Sequence, residues 1–238
     1  MTRAYFIADI HLSADTPRRA KLLLGFCDMI IHNPGELYIL GDLFEFWANN
    51  RLLYAAHQQV FEKLSSLTSR GIMVGVLAGN RDFLLSQKTL ARCGAFFLGE
   101  EAEILLDGMR LLLAHGHTLC LSDTIFLSYR RRMWPWFRLL DPLLPGWIEN
   151  RLAHLFMKKS KEVISAQDPS RFEFTRAAIE QHFTAGIDVV ICGHTHKMEH
   201  FVSGAKRFYS LPCWDDERGY YLLYKKGEFA LHTFTDKR

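Results

Sequence analysis

A chain of 238 residues that is 49% hydrophobic, 23% charged and 13% aromatic has the material for a sizeable buried core, and its composition fits neither a disordered nor an integral membrane protein. Its formal net charge of +3 is too mild to indicate nucleic acid as a partner, and no run approaches the roughly 20 apolar residues that span a bilayer. Five cysteines (Cys27, Cys93, Cys120, Cys192 and Cys213) form no Cys-x-x-Cys pair and are odd in number, which argues against a disulfide framework or a zinc knuckle. They read as small buried apolar groups in a reducing, cytoplasmic setting. The first residues lack the charged start, apolar run and cleavage site of a secretory signal.

In chain order, apolar runs that stop at polar or glycine-containing turns predict buried strands at 5–8, 37–40, 72–78, 110–114 and 187–192. Helical spacing over 18–32 and 52–69 separates the first three, so the first eighty residues read as strand, helix, strand units of an α/β protein. From 118 to 184 no strand alternation is visible, and Pro135, Pro142, Pro145 and Pro169 punctuate what reads as short helices. That segment is expected to be a helical cap inserted into a single domain spanning 1–238. After Gly193, strand-like runs at 201–202, 207–211, 220–224 and 229–234 predict a mostly antiparallel carboxyl-terminal sheet.

Each of the first five strands runs into a polar signature: Asp9-Ile10-His11, Gly41-Asp42, Gly79-Asn80-Arg81-Asp82, His115-Gly116-His117 and Gly193-His194-Thr195-His196. Loops beyond the carboxyl ends of strands are where open α/β sheets bind ligands. In extended backbone alternate side chains point the same way, so Asp9 with His11, and His194 with His196, are expected to reach a common centre. Gly41, Gly79, Gly116 and Gly193 permit sharp turns and close backbone approach. A thiolate-free set of imidazoles, carboxylates and one amide suits manganese, iron, zinc or cobalt, with manganese the first choice. Asp or Asn after one strand is an ordinary turn residue; five signatures in this order are not explained that way.

Together these signatures resemble those of the calcineurin-like metallophosphoesterases, and the resemblance spans essentially the whole chain. It implies an α/β four-layer sandwich, two mixed β-sheets flanked by helices, and two divalent metal ions. By similarity, one ion is held by Asp9, His11, Asp42 and His196 and the other by Asp42, Asn80, His115 and His194. Two such ions activate water and neutralise phosphoryl charge. Asn80, Arg81 and His115 are the implied catalytic residues; Arg81 stands where most members carry His, and a permanently charged guanidinium clamps phosphate oxygens rather than acting as an acid.

The stretches Gly79-Asn80-Arg81-Asp82-Phe83-Leu84-Leu85, Leu40-Gly41-Asp42-Leu43-Phe44-Glu45 and Thr118-Leu119-Cys120 are similar to a branch of the family acting in lipid A biosynthesis. That branch cleaves the pyrophosphate of UDP-2,3-diacylglucosamine to UMP and 2,3-diacylglucosamine 1-phosphate. The similarity implies a lipid-linked UDP-sugar substrate contacted by Asn80, Arg81, Asp123, Ser160 and His194, and peripheral attachment to the cytoplasmic face of the inner membrane. The cap suits that role, since Phe126, Trp134, Trp136, Phe137, Trp147 and Phe156 lie among Arg130, Arg131, Arg132, Arg138, Arg151, Lys158 and Lys159. His117, Ile164 and Gln167 depart from the branch pattern, leaving open a soluble nucleotide or cyclic-nucleotide phosphodiesterase of the same fold. A non-catalytic interaction module is a third reading, and the seven filled ligand positions argue against it. His32, His57, His154, His182, His200 and His232 fall in no motif and read as surface or core histidines; His117, Glu45 and Asp82 read as turn residues or as partners that orient a ligand.

Overall fold

Alternation along strand β1 (Arg3–Ile7) shows how the layers arise. Ala4 and Phe6 face a second sheet, whereas Tyr5 and Ile7 face helices, as the period of two along a strand requires. The computed structural model describes residues 2–48, 51–140 and 173–236. Within them β2 (Glu36–Leu40), β3 (Val74–Leu77) and β4 (Phe96–Phe97) extend β1 in parallel, and β10 (Gly219–Lys225) and β11 (Glu228–Phe234) add antiparallel edges. The order is β11-β10-β1-β2-β3-β4. A second sheet runs β5-β6-β7-β9-β8, from β5 (Glu101–Leu106), β6 (Met109–Ala114), β7 (Val189–Cys192), β8 (Glu199–Ser203) and β9 (Lys206–Ser210), with β6, β7 and β9 parallel.

Between the sheets Ala4, Phe6, Tyr38, Leu40 and Leu77 meet Leu111, Leu113, Val189, Ile191 and Leu211, with Phe6 stacked on Tyr38 at 5.2 Å. On the outer face of the first sheet lie α1 (Pro17–His32), α3 (Gln58–Thr68) and the short α4 (Gln87–Leu90). Helix α1 starts with Pro at its first position, where the missing N–H has no helical partner to lose. It buries Leu22, Leu23, Phe26, Cys27 and Ile30 along one stripe and stops before Asn33-Pro34, a pair that disfavours helix. Helix α6 (Arg176–Thr184) covers the other sheet through Ala178, Ile179 and Phe183. Helix, sheet, sheet, helix is the expected four-layer sandwich.

Three expectations change. The carboxyl-terminal strands do not form a sheet of their own: β8 and β9 complete one sheet, β10 and β11 the other, because β9 pairs with β7 and β10 with β1 along the open edges of the parallel core, while β8 and β11 pair with their sequence neighbours. The helix expected over 52–69 is two, α2 (Arg51–Ala56) and α3, meeting at His57. Pro135 does not end a short helix but sits inside α5 (Thr124–Leu140). Ser160 and the rest of the expected cap from 141 to 172 lie outside the described residues.

His57 is 7% exposed and its ring lies 4.6 Å from that of Phe44. Burial pushes its imidazole down to about 4. The unfolded chain therefore binds a proton that the folded chain refuses, so this contribution to stability is complete above pH 6.5 and is lost as pH falls toward 4. The difference amounts to about 3 kcal/mol. Urea unfolding with chelator present should show His57→Phe losing about that much less stability than the parent between pH 7 and 4; identical slopes would contradict this.

Candidate metal centre

Strands β1, β2 and β3 in one sheet and β6 and β7 in the other deliver their carboxyl ends to one edge of the sandwich. Asp9, Asp42, Asn80, His115, His194 and His196 follow those ends within a few residues. The loops are not extended, as alternation had suggested. Asp9 (φ 54°), His11 (51°), Asp42 (50°), His194 (77°) and His196 (59°) all occupy the left-handed region, which costs a non-glycine residue about 1–3 kcal/mol unless its surroundings enforce it. Here they do. Asp9 N–H donates to Gly41 O at 3.2 Å, Ile10 and His11 N–H both donate to Asp42 O at 2.9 Å, and Gly193 N–H donates to His115 O at 2.9 Å.

Two glycines make room for the carboxylates. A β-carbon on Gly79 would stand 2.1 Å from Asp42 Oδ1, and one on Gly193 would stand 2.1 Å from Asp9 Oδ2. With those β-carbons missing, the carboxylates accept backbone hydrogen bonds instead: Asp42 Oδ1 from Arg81 N–H at 2.8 Å, Asp9 Oδ2 from His194 N–H at 2.8 Å. Each acid thus keeps one oxygen tied to a loop and turns the other inward.

Asp82 is the fastener between the second and third loops. Fully buried, it accepts Gly79 N–H at 2.7 Å and Asp42 N–H at 3.2 Å on Oδ1, and Leu43 N–H at 2.9 Å and Phe44 N–H at 3.4 Å on Oδ2. Its next neighbour, Phe83, stacks on Trp134 of α5 at 4.5 Å, so the loop carrying Asn80 and Arg81 is docked against that helix.

The inward-facing atoms form two adjoining sets. In one, His11 Nε2 and His196 Nε2 are 3.1 Å apart, and Asp9 Oδ1 lies 3.4 Å from His196 Nε2 and 3.7 Å from His11 Nε2. In the other, Asn80 Oδ1 lies 2.7 Å from His115 Nε2 and 3.0 Å from His194 Nδ1. Asp42 Oδ2 lies between them, 3.8 Å from His11 Nε2 and 3.5 Å from His115 Nε2.

A cation fits this arrangement. Asp9 Oδ1 is buried and accepts no hydrogen bond, a costly state for a carboxylate oxygen. His115 Nδ1–H donates to Leu40 O at 2.9 Å, which leaves a bare Nε2 lone pair aimed at the equally electron-rich Asn80 Oδ1. A metal ion relieves both. Imidazole, carboxylate and amide donors are those of a divalent transition-metal site, and the carbonyl bond on the far nitrogen is how proteins orient a ligating histidine.

The electrostatics agree. Burial pushes the His115 and His194 imidazoles down, keeping them in the neutral form that ligates. Burial opposes charge on His11, yet Asp9, Glu45 and Asp42 outweigh it and raise its imidazole to about 10. Burial likewise opposes charge on Asp9, but the His11 and His196 imidazoles hold its carboxyl well below the usual range. Asp42 is raised, chiefly by burial. A dense carboxylate cluster of this kind calls for positive charge at its centre.

Other predicted residues fall elsewhere. Asp123 stands just before α5 and accepts Phe126 N–H at 3.1 Å, a helix-capping contact. Glu45 Oε2 lies 3.2 Å from His11 Nδ1, an ion-pair contact without the alignment of a hydrogen bond. His117 is 1% exposed, with its ring 5.6 Å from that of Trp134 and 6.0 Å from that of His194. Cys213 was not anticipated beside the centre. Strand β9 runs parallel to β7 and so delivers its own following loop to the same edge, a placement that a separate antiparallel sheet of the terminal strands does not provide.

Residues 2–198 match the family described as Calcineurin-like phosphoesterase. The chain is similar to a UDP-2,3-diacylglucosamine hydrolase of Haemophilus influenzae, 32% identical over 199 residues that cover 83% of this chain and 84% of that one. It is 33% identical over 212 residues, 88% and 89% of the two chains, to the protein of the same name from Sodalis glossinidius. Among solved structures, an archaeal phosphodiesterase shares the fold with a TM-score of 0.53 at 10% identity, covering 98% of this chain and 100% of that one.

Proposed function

This chain belongs to the calcineurin-like phosphoesterase family and is a metal-dependent hydrolase, and on that premise we propose that it cleaves the pyrophosphate of UDP-2,3-diacylglucosamine to UMP and 2,3-diacylglucosamine 1-phosphate. The observation that carries the mechanism is the position of Asp42 Oδ2, within 3.8 Å of both ligand sets. In this reading Asp9, His11, Asp42 and His196 hold one ion, and Asp42, Asn80, His115 and His194 the other. Nitrogen and oxygen donors of this kind suit manganese, iron, zinc or cobalt, with manganese the first choice. When bound, the ions supply an acidified water and neutralise charge on the phosphoryl oxygens.

The chain's own groups do the rest. Arg81, adjoining the centre through its backbone bond to Asp42, clamps phosphate oxygens with the planar fork of its guanidinium. It cannot serve as a general acid, and UMP, a stable leaving group, needs little such help. Asn80, His115 and His194 face the reacting phosphate, and Asp123 and Ser160 are proposed to meet the nucleotide and sugar.

Helix α5 supports a lipid substrate. It packs Phe126, Tyr129, Trp134 and Phe137 inward, yet leaves Met133, Trp136 and Leu139 at 39%, 60% and 63% exposure beside exposed Arg131 and Arg132. Apolar and basic side chains on one outward surface suit acyl chains and anionic headgroups at a membrane face. No helix of the described residues is long and apolar enough to cross a membrane, and peripheral attachment at the cytoplasmic face is the corresponding proposal. Incubating the protein with UDP-2,3-diacylglucosamine and manganese should release UMP and the lipid 1-phosphate, and a chelator should stop it. Release that continues unchanged with chelator would overturn the metal chemistry.

A further inference from the structure

The loop after β9 brings a sulfur atom to the first ligand set. Leu211 N–H donates to Cys192 O at 2.8 Å and Trp214 N–H donates to Asp9 O at 3.1 Å, which pins 211–214 against the first and fifth ligand loops. The Trp214 indole, buried at 1% exposure, donates to Tyr220 O at 2.8 Å and anchors the far side. Cys213 lies between these two anchors. Its Sγ and one nitrogen each of His11 and His196 all lie within 4.8 Å of one another. The other four cysteines are buried in packing; Cys213 is the partly exposed one.

A second observation points to the same spot. Asp9 Oδ1, fully buried and accepting no hydrogen bond, is aimed at the His11 and His196 nitrogens. One carboxylate oxygen, two imidazoles and one sulfur, converging from three loops, make a donor set of the kind that holds zinc, cobalt or ferrous iron.

We propose that Cys213 is a further ligand of the ion held by Asp9, His11, Asp42 and His196, so that this half of the centre prefers zinc, cobalt or ferrous iron to manganese. The proposal rests on the two-ion reading above. It leaves manganese to the half built from Asn80, His115 and His194, where no cysteine of the described residues joins the donor set. On binding, the S–H bond breaks, its proton passes to solvent, and a sulfur–metal bond forms with no change of oxidation state. Without that bond, Sγ has, among the described residues, the carbonyls of Asp9 at 3.1 Å and Trp214 at 3.2 Å to donate to.

The test loads the metal-free protein with cobalt and reads its absorption. The parent should show a thiolate-to-cobalt charge-transfer band in the near ultraviolet, and Cys213→Ser should lose it while binding the same number of ions. Should the variant fail to fold, zinc-edge X-ray absorption on the parent decides: a sulfur shell at about 2.3 Å supports the proposal and a purely nitrogen and oxygen shell overturns it. Two ions bound with no sulfur signal would refute the ligand and spare the two-ion reading. No bound ion would refute both, and the metal count separates the cases.

Discussion

Asp42→Ala should lower kcat/KM by about 10³-fold or more, the scale on which preorganised charge stabilisation is lost. Asp42 Oδ2 lies within 3.8 Å of a nitrogen in each of the two proposed ligand sets, and its companion Oδ1 is already engaged by Arg81 N–H. Removing it takes a negative charge from both sets at once and frees the backbone of the Arg81 loop. Asp42→Asn separates these effects. An amide oxygen keeps the bond to Arg81 N–H but cannot bring a full charge to two cations, so the loss in rate should persist while the fold is kept. Metal content by mass spectrometry, read with kcat/KM, checks this. Normal rates in both variants would leave Asp42 a purely structural residue.

The second large effect falls on a residue whose side chain holds backbone N–H groups of the ligand loops and supplies no ligand atom itself. Asp82→Ala orphans four backbone donors, those of Gly79, Asp42, Leu43 and Phe44, in a fully buried site. Each such group loses its partner without gaining water, and the summed cost should be about 3–5 kcal/mol. Because the donors belong to the two loops that carry Asp42 and Asn80, loss of stability should be accompanied by weaker metal binding. Asp82→Asn, which retains one carbonyl oxygen, should fall between. Urea unfolding of the three proteins, with and without metal, measures both quantities; an Ala variant within 1 kcal/mol of the parent would show the fastening to be dispensable.

The parallel strands and their signatures could be read directly from the chain, because a fully buried strand is a run of apolar residues and a ligand loop is the abrupt polar break that follows. What could not be read was the way those loops reach one point. Strand alternation alone pairs Asp9 with His11 and His194 with His196, yet the structure uses left-handed backbone at all four positions, held by bonds between loops far apart in sequence. Pairing partners were hidden for the same reason. The terminal strands have ordinary alternating sequences, and only the open edges of the two sheets decide that β10 joins β1 while β9 joins β7.

Local signals existed for some of what was missed. Asp107-Gly108, both at positive φ, is a two-residue hairpin turn that marks β5, a strand whose glutamates obscure its apolar face. Asp123 before a helical run is a capping signal as much as a binding one. Asp82 carried no signal distinguishing it from an ordinary turn residue, since its four partners come from two separate loops. Cys213 could be placed only once β9 was known to run parallel to β7.

The substrate proposed for this metal centre, with α5 beside it, is a nucleotide joined through pyrophosphate to an acylated sugar. It is tested most directly by a paired assay of the manganese-loaded protein in mixed micelles, comparing UDP-2,3-diacylglucosamine with soluble phosphodiesters and cyclic nucleotides. Rapid release of UMP from the lipid substrate, with slow turnover of the soluble esters, is the result predicted. Brisk cleavage of the soluble esters with no UMP from the lipid substrate would contradict it.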